Sequence, residues 1–226
     1  MTIKLTEAAL HFKMLPHQIK AFQDLQDSLS PMQLEIFASA YRSSQPASRQ
    51  PVDKLKLLSQ RNYRGDLNKD GRDDSFQTCN VHALAMCLNA ILNRNIAVAA
   101  LDAQAIKMPG SRYSHDNLVK ISASYNVKSV FNTATPTAKI IEHLDKGLPV
   151  IWSNKLTHSG HIVVLAKYNK ETKAFFVYDS YGEPMIGNKV VYRDIRKPYW
   201  LSLSSFNRFG MNGANSSGHW AHLLSC

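Results

Sequence analysis

The stretch FQTCNVHALAMCLNAIL, Phe76–Leu92, decides how this chain is read. A polar loop ends at Cys79, and an apolar run that includes Ala83, Leu84, Met86, Cys87 and Leu88 follows. The spacing predicts an amphipathic to fully buried helix over 79–93 with a cysteine at its first turn. A thiol beside a helix N-terminus and an imidazolium is readily made into a nucleophilic thiolate, whereas one in mid-helix apolar surroundings, such as Cys87, is inert core.

Downstream, SHDNLVKISASYN (114–126) and TPTAKIIEHLDKG (135–147) predict two further helices, the second begun by Thr135 or Thr137 and ended by Gly147. The period then changes. LPVIWSN (148–154), GHIVVLAKYN (160–169) and KAFFVYDSY (173–181) are rich in β-branched and aromatic residues and predict strands, the last two joined by the turn NKETK. Helices first and an antiparallel sheet afterwards make the expected fold class α+β.

Upstream, residues 1–45 predict a helical extension, with Ile19, Phe22, Leu25 and Leu29 on one stripe and a capping box at Ser30 and Gln33. SSQPASRQP forms a polar boundary, so the expected organisation is a helical extension (1–45), a linker (46–51) and a main domain (52–226).

The two hairpin strands place His161 at the start of one and Asp179 at the end of the next. Adjacent antiparallel strands hold such residues side by side at one sheet end, and a helix N-terminus docked there brings Cys79 to the imidazole. Cysteine as nucleophile, histidine as base and aspartate as orienting acid are the parts of thiol acyl transfer. An amide donor for the developing oxyanion is also needed, and Gln60 and Gln77 both qualify.

The segments SQRN, TCNVHALAMCL, SGHIVVLAKY and VYDSYGEP resemble papain-like cysteine peptidases of the bacteriocin-leader-processing type, above all their wall-lytic phage and bacterial branch. The likeness runs from Leu57 to the C-terminus, including NGAN. It implies a papain-like fold, Cys79, His161 and Asp179 as catalytic residues, and Gln60 in SQRN as oxyanion donor, with Gln77 as rival. Two departures stand out: Ser180 where a proline often follows the acid, and an insertion between Gln60 and Cys79.

That insertion, DLNKDGRDDSFQ, has the form of a calcium loop. Asp66, Asn68 and Asp70 would supply side-chain oxygens, Gly71 the turn, Arg72 its carbonyl, Asp74 a direct or water-mediated contact, and Gln77 the twelfth position. The expected role of calcium is to order the approach to Cys79. The pairs HSGH (158–161) and HWAH (219–222) lack the H-E-x-x-H zinc signature. His219, Trp220 and Asn212 are expected to line the substrate cleft instead.

The chain has 27 Lys+Arg against 17 Asp+Glu, a formal net charge of +10. Such a field suits a polyanionic partner, nucleic acid or an anionic cell wall; no recognition-helix or zinc-finger signature is present, and the resemblance to wall-lytic proteins implies the cell wall. No apolar run spans a membrane and no signal peptide is evident, so cytoplasmic synthesis is expected, as for a phage endolysin released through a separate pore or a bacterial enzyme exported by another route. The three cysteines are expected to be free. The expected activity is amide hydrolysis in peptidoglycan peptides, at the stem or its cross-link. A leader-peptide-processing peptidase and a non-catalytic calcium-dependent wall-binding protein are the alternatives, and the oligomeric state is left open.

Overall fold

The computed structural model describes residues 50–67, 69, 71–187, 189–212 and 218–226. The chain divides into two units, Met1–Ser48 and Arg49–Cys226. The expected helical extension over 1–45 lies outside the described residues.

Helix α1, Cys79–Leu92, is the central element. Its residues from Asn80 to Leu88 are all buried, the polar Asn80 and His82 among them. It stops where Asn93 turns left-handed (φ 52°) and returns its N–H to the Asn89 carbonyl. Helices α2 (Val98–Ala105) and α3 (His115–Ser124) pack beside it, α3 being capped by Ser114. Helix α4, Thr137–Asp145, has Pro136 rather than a threonine at its N-cap position, with no side-chain cap, and ends before left-handed Gly147.

The main sheet is antiparallel, in the order β1-β8-β2-β3-β4-β7. The three predicted strands are β2 (Val150–Asn154), β3 (His161–Asn169) and β4 (Ala174–Tyr178). Around them lie β1 (Lys128–Thr135), β7 (Tyr199–Ser202) and β8 (His219–Ser225), which the sequence reading passed over. In β3 the alternation explains the continuous apolar run. Val164 and Ala166 face the core under α1–α3, while Val163 and Leu165 face a second core with Trp152, Phe175 and Phe206. That second core is covered by α4 and by α5, Leu203–Phe209. The α+β, papain-like architecture is therefore present, with helices on both faces of the sheet.

A small hairpin, β5 (Glu183–Ile186) and β6 (Val190–Arg193), follows the end of β4. Gly182 makes it possible. Its φ is +127°, and a Cβ there would stand 2.2 Å from the Arg193 carbonyl oxygen. Only glycine lets β6 come this close, and that approach brings Tyr192 over the end of β4.

Candidate active site

Antiparallel pairing sets the geometry. His161 opens β3 opposite Asn154, and Tyr178 at the end of β4 pairs with Val164, so Asp179 emerges beside His161. His161 Nε2 lies 2.7 Å from Asp179 Oδ1, and both residues are buried. Nε2 is thus committed to the carboxylate, and the ring's remaining nitrogen, Nδ1, is the one left for the Cys79 thiol, which hydrogen-bonds the imidazole. Cys79 is partly exposed at the first position of α1, while Cys87 is buried and Cys226 exposed; all three are free. Helix α1 and the β3–β4 pair thus bring Cys79, His161 and Asp179 into one chain of contacts.

Burial alone would drive the proton off His161. The charge of Asp179, its hydrogen bond and the contact with Cys79 outweigh that penalty and push the imidazole up to about 10. The surroundings thus favour the imidazolium form of the ring, the form His161 takes once Cys79 has handed it a proton. Its edges are closed by Tyr181 and Tyr192, with centroids 6.2 and 5.7 Å away in T-shaped contact.

Asp179 is fully engaged. Oδ1 also accepts from the Tyr181 N–H (2.9 Å), and Oδ2 accepts from the hydroxyls of Tyr199 (3.1 Å) and Tyr192 (3.2 Å). Four donors hold the buried carboxylate in place. Burial first, and then the neighbouring carboxylate, raise both tyrosines well above the usual phenol value, so each stays a donor. Neither tyrosine was predicted; each is tied to the site only by chain pairing.

The two candidate glutamines part company. Gln60 is buried in a short 3-10 turn, Gln60–Asn62. Its Nε2 donates to the Ser75 carbonyl (2.8 Å) and its Oε1 accepts from the Ser180 hydroxyl (2.6 Å). Its own N–H bonds the Ser180 carbonyl at 2.9 Å. The carbonyl of Ser75 can only accept, which fixes which end of the amide carries the hydrogens. Ser180 is thus the residue that orients the glutamine. Gln77 points elsewhere, its Oε1 taken by the Tyr113 hydroxyl and approached by Arg72 at 3.5 Å.

The segment leading into Cys79 is anchored by a buried cation. Arg112, wholly buried, pairs with Asp74 (2.7 Å) and with Asp102 (2.8 Å). The Asp74 carbonyl accepts from the Thr78 hydroxyl, and Asn80 reaches back to the Arg112 carbonyl, so both neighbours of Cys79 are tied to this cluster.

This corrects part of the expected calcium loop. Asp74 Oδ1 is held by Arg112 and its Oδ2 by the Leu67 N–H, so its oxygens serve a buried ion pair rather than a cation shell. Gln77 is likewise committed to Tyr113. Asp66 accepts from the Gly71 N–H at 2.7 Å, and Gly71 is left-handed, while Asn68 and Asp70 lie outside the described residues. Arg72 turns its guanidinium towards the Tyr113 ring.

Of the other histidines, His158 is exposed. His219 corrects its expected place in the cleft: it is buried against Phe206 and bonded to Thr137. Trp220 does donate to Asn212, at 2.8 Å. Among the described residues no cluster of three or more His, Cys, Asp or Glu is arranged to hold a metal.

A papain-like α+β frame carrying a cysteine at a helix start, in contact with a histidine–aspartate pair, has the makeup of a thiol peptidase. The chain belongs to the Peptidase_C39 like family, whose match spans residues 52–205. Two solved structures are similar. One is a double glycine motif protease from an AMS/PCAT transporter, in complex with its leader peptide: 14% identity, 65% of this chain and 82% of that one, TM-score 0.42. The other is described as a C39-like peptidase from Bacillus anthracis: 15% identity, 77% of this chain and 98% of that one, TM-score 0.47. No curated protein matches the chain. Among the described residues no helix is long and apolar enough to cross a membrane.

Proposed function

We propose that the protein is a cysteine peptidase that hydrolyses amide bonds through a thioester, with Cys79 as nucleophile. The observation that carries this reading is the unbroken contact from the Cys79 thiol through the His161 ring to the Asp179 carboxylate. The sulfur, having given its proton to His161, attacks the carbonyl carbon, and the carbonyl π electrons move to oxygen. Gln60 Nε2 has a second hydrogen beyond the one given to Ser75 and supplies the donor for that oxyanion. As the intermediate collapses, the imidazolium hands its proton to the departing amine. The neutral ring then takes a proton from water, the resulting hydroxide attacks the thioester, and the thiolate leaves. Asp179 keeps Nε2–H directed at itself throughout.

The proposed substrate is a peptide of bacterial peptidoglycan, as in endolysin-like enzymes. A formal charge of +10 supports attraction to an anionic wall. Calcium held by Asp66, Asn68, Asp70 and the Arg72 carbonyl is proposed to order the loop without entering the chemistry. Chelation is then expected to lower the melting temperature, and an unchanged value removes the ion from the reading.

The decisive comparison is solubilisation of purified cell walls by the wild type and by Cys79→Ala, with the released fragments identified by mass spectrometry. Wild-type lysis with an inert alanine variant supports the proposal. Equal lysis by both removes the thiol mechanism. Inert walls together with Cys79-dependent cleavage of a ribosomal leader peptide move the enzyme to the leader-processing class.

A further inference from the structure

A groove of about 220 Å³, lined by Arg61, Arg64, Asp73, Ser75, Phe76 and Tyr181, opens beside the catalytic centre. Two of these residues touch the proposed machinery. The Ser75 carbonyl receives Gln60 Nε2, and the Tyr181 ring stands 6.2 Å from that of His161. At about 3.3–3.6 Å per extended residue, a substrate bound across Cys79 places a flanking side chain here.

The walls are aromatic. Phe76, 64% exposed, and Tyr181 have centroids 5.9 Å apart. Arg61 is fixed as part of the floor: its guanidinium lies 4.1 Å over the Tyr181 ring, its Nε donates to the Tyr181 carbonyl, and Asp194 stands 3.7 Å away. Asp73 turns Oδ1 to the N–H and hydroxyl of Ser75, which keep it ionised. Arg64 differs. Its Nε donates to the Arg61 carbonyl at 3.1 Å, and among the described residues no carboxylate lies within ion-pair distance of its guanidinium. Among the lining residues Arg61 and Arg64 face the single carboxylate of Asp73, and the Arg64 charge acts on Asp73 and Asp194 from beyond ion-pair distance.

Resting on the peptidase reading above, we infer that this groove makes the enzyme selective for a substrate residue bearing a carboxylate next to the cleaved bond, with Arg64 as the reader of that charge. A guanidinium suits a carboxylate because its planar N–H fork matches the two oxygens. Phe76 and Tyr181 hold the aliphatic part and exclude water from one side of the pair.

The test is a peptide library prepared from a bacterial lysate, digested with the full-length wild type, Arg64→Ala and Arg64→Glu, the cut sites being read by mass spectrometry. Wild type is expected to cut about five-fold faster at sites flanked by Asp or Glu than at matched Asn or Gln sites, the ratio set by a partly screened ion pair. Arg64→Ala is expected to bring the ratio to one, Arg64→Glu to favour Lys or Arg, and 0.5 M salt to shrink the wild-type ratio. An acid-to-amide ratio that is the same in all three proteins overturns the inference while leaving the peptidase reading intact. Failure of the wild type to cut either the library or purified walls overturns that reading, and the inference falls with it.

Discussion

Two buried histidines show how one side chain is driven in opposite directions. His161 has a carboxylate at 2.7 Å and is pushed up to about 10 in spite of its burial. His222, on β8, has no such partner: its Nε2 faces His115 Nδ1 at 2.8 Å and its Nδ1 faces the Ser129 hydroxyl at 3.0 Å. Burial first and the neighbouring imidazole second push it down to about 3. Around it Phe131 stacks on both His115 and His222. Desolvation thus makes a histidine a neutral packing group, and a fixed anion reverses that. The chemistry proposed for Cys79 depends on the second case.

Removing the anion is the strongest way to break the contrast. Asp179→Asn preserves shape, so His161 should behave like His222 and titrate below its ordinary value in an NMR pH series. The turnover number should fall by about 10³–10⁴-fold, the order found where a triad aspartate is replaced. Next in size is Arg112→Ala, which strands two carboxylates in the core beside the Cys79 segment. Urea unfolding should show a loss of about 3–5 kcal/mol, the usual consequence of breaking a buried pair.

The contrast also predicts two separate pH windows. His161, raised in the folded state, contributes stability fully present below about 6.5 and lost as pH climbs through about 10. His222, lowered, has the opposite sign: the native state is favoured above about 6.5 and loses that advantage as pH falls towards about 3. Melting temperatures across pH should lose their alkaline slope in Asp179→Asn and part of their acid slope in His222→Gln. Ser129→Asp sharpens the same point by giving His222 an anion, and its imidazole should then titrate above its present value by NMR. The smallest effect is expected from Tyr199→Phe. It removes one of four donors to Asp179, and should cost about 1 kcal/mol in unfolding and a few-fold in turnover, with Tyr192 still in place.

Legibility in the sequence followed range. The α1 run and the β2, β3 and β4 segments carry their period within a dozen residues, so a reader can see them. Strand β1 could not be seen that way. It lies at the sheet edge with most of its residues exposed, and Ser129, Asn132 and Thr133 blur its alternation. Strand β8 was hidden by two histidines that read as ligand spacing, although His219 is core and His222 half of a stacked pair. The calcium pattern was legible but incomplete as a guide, because nothing local marks Asp74 as the partner of Arg112, 38 residues away.

By itself the sequence determined that a cysteine would start a buried helix and that a histidine and an aspartate would share one sheet end. Those facts follow from side-chain periodicity and a short hairpin, both local. Tertiary structure alone decided what holds the Gln60 amide, because its oxygen accepts from Ser180, 120 residues away. It alone decided that Asp179 would be steadied by Tyr192 and Tyr199. It also set the protonation of His161, since a pKa in the interior depends on every charge and donor that packing brings near it.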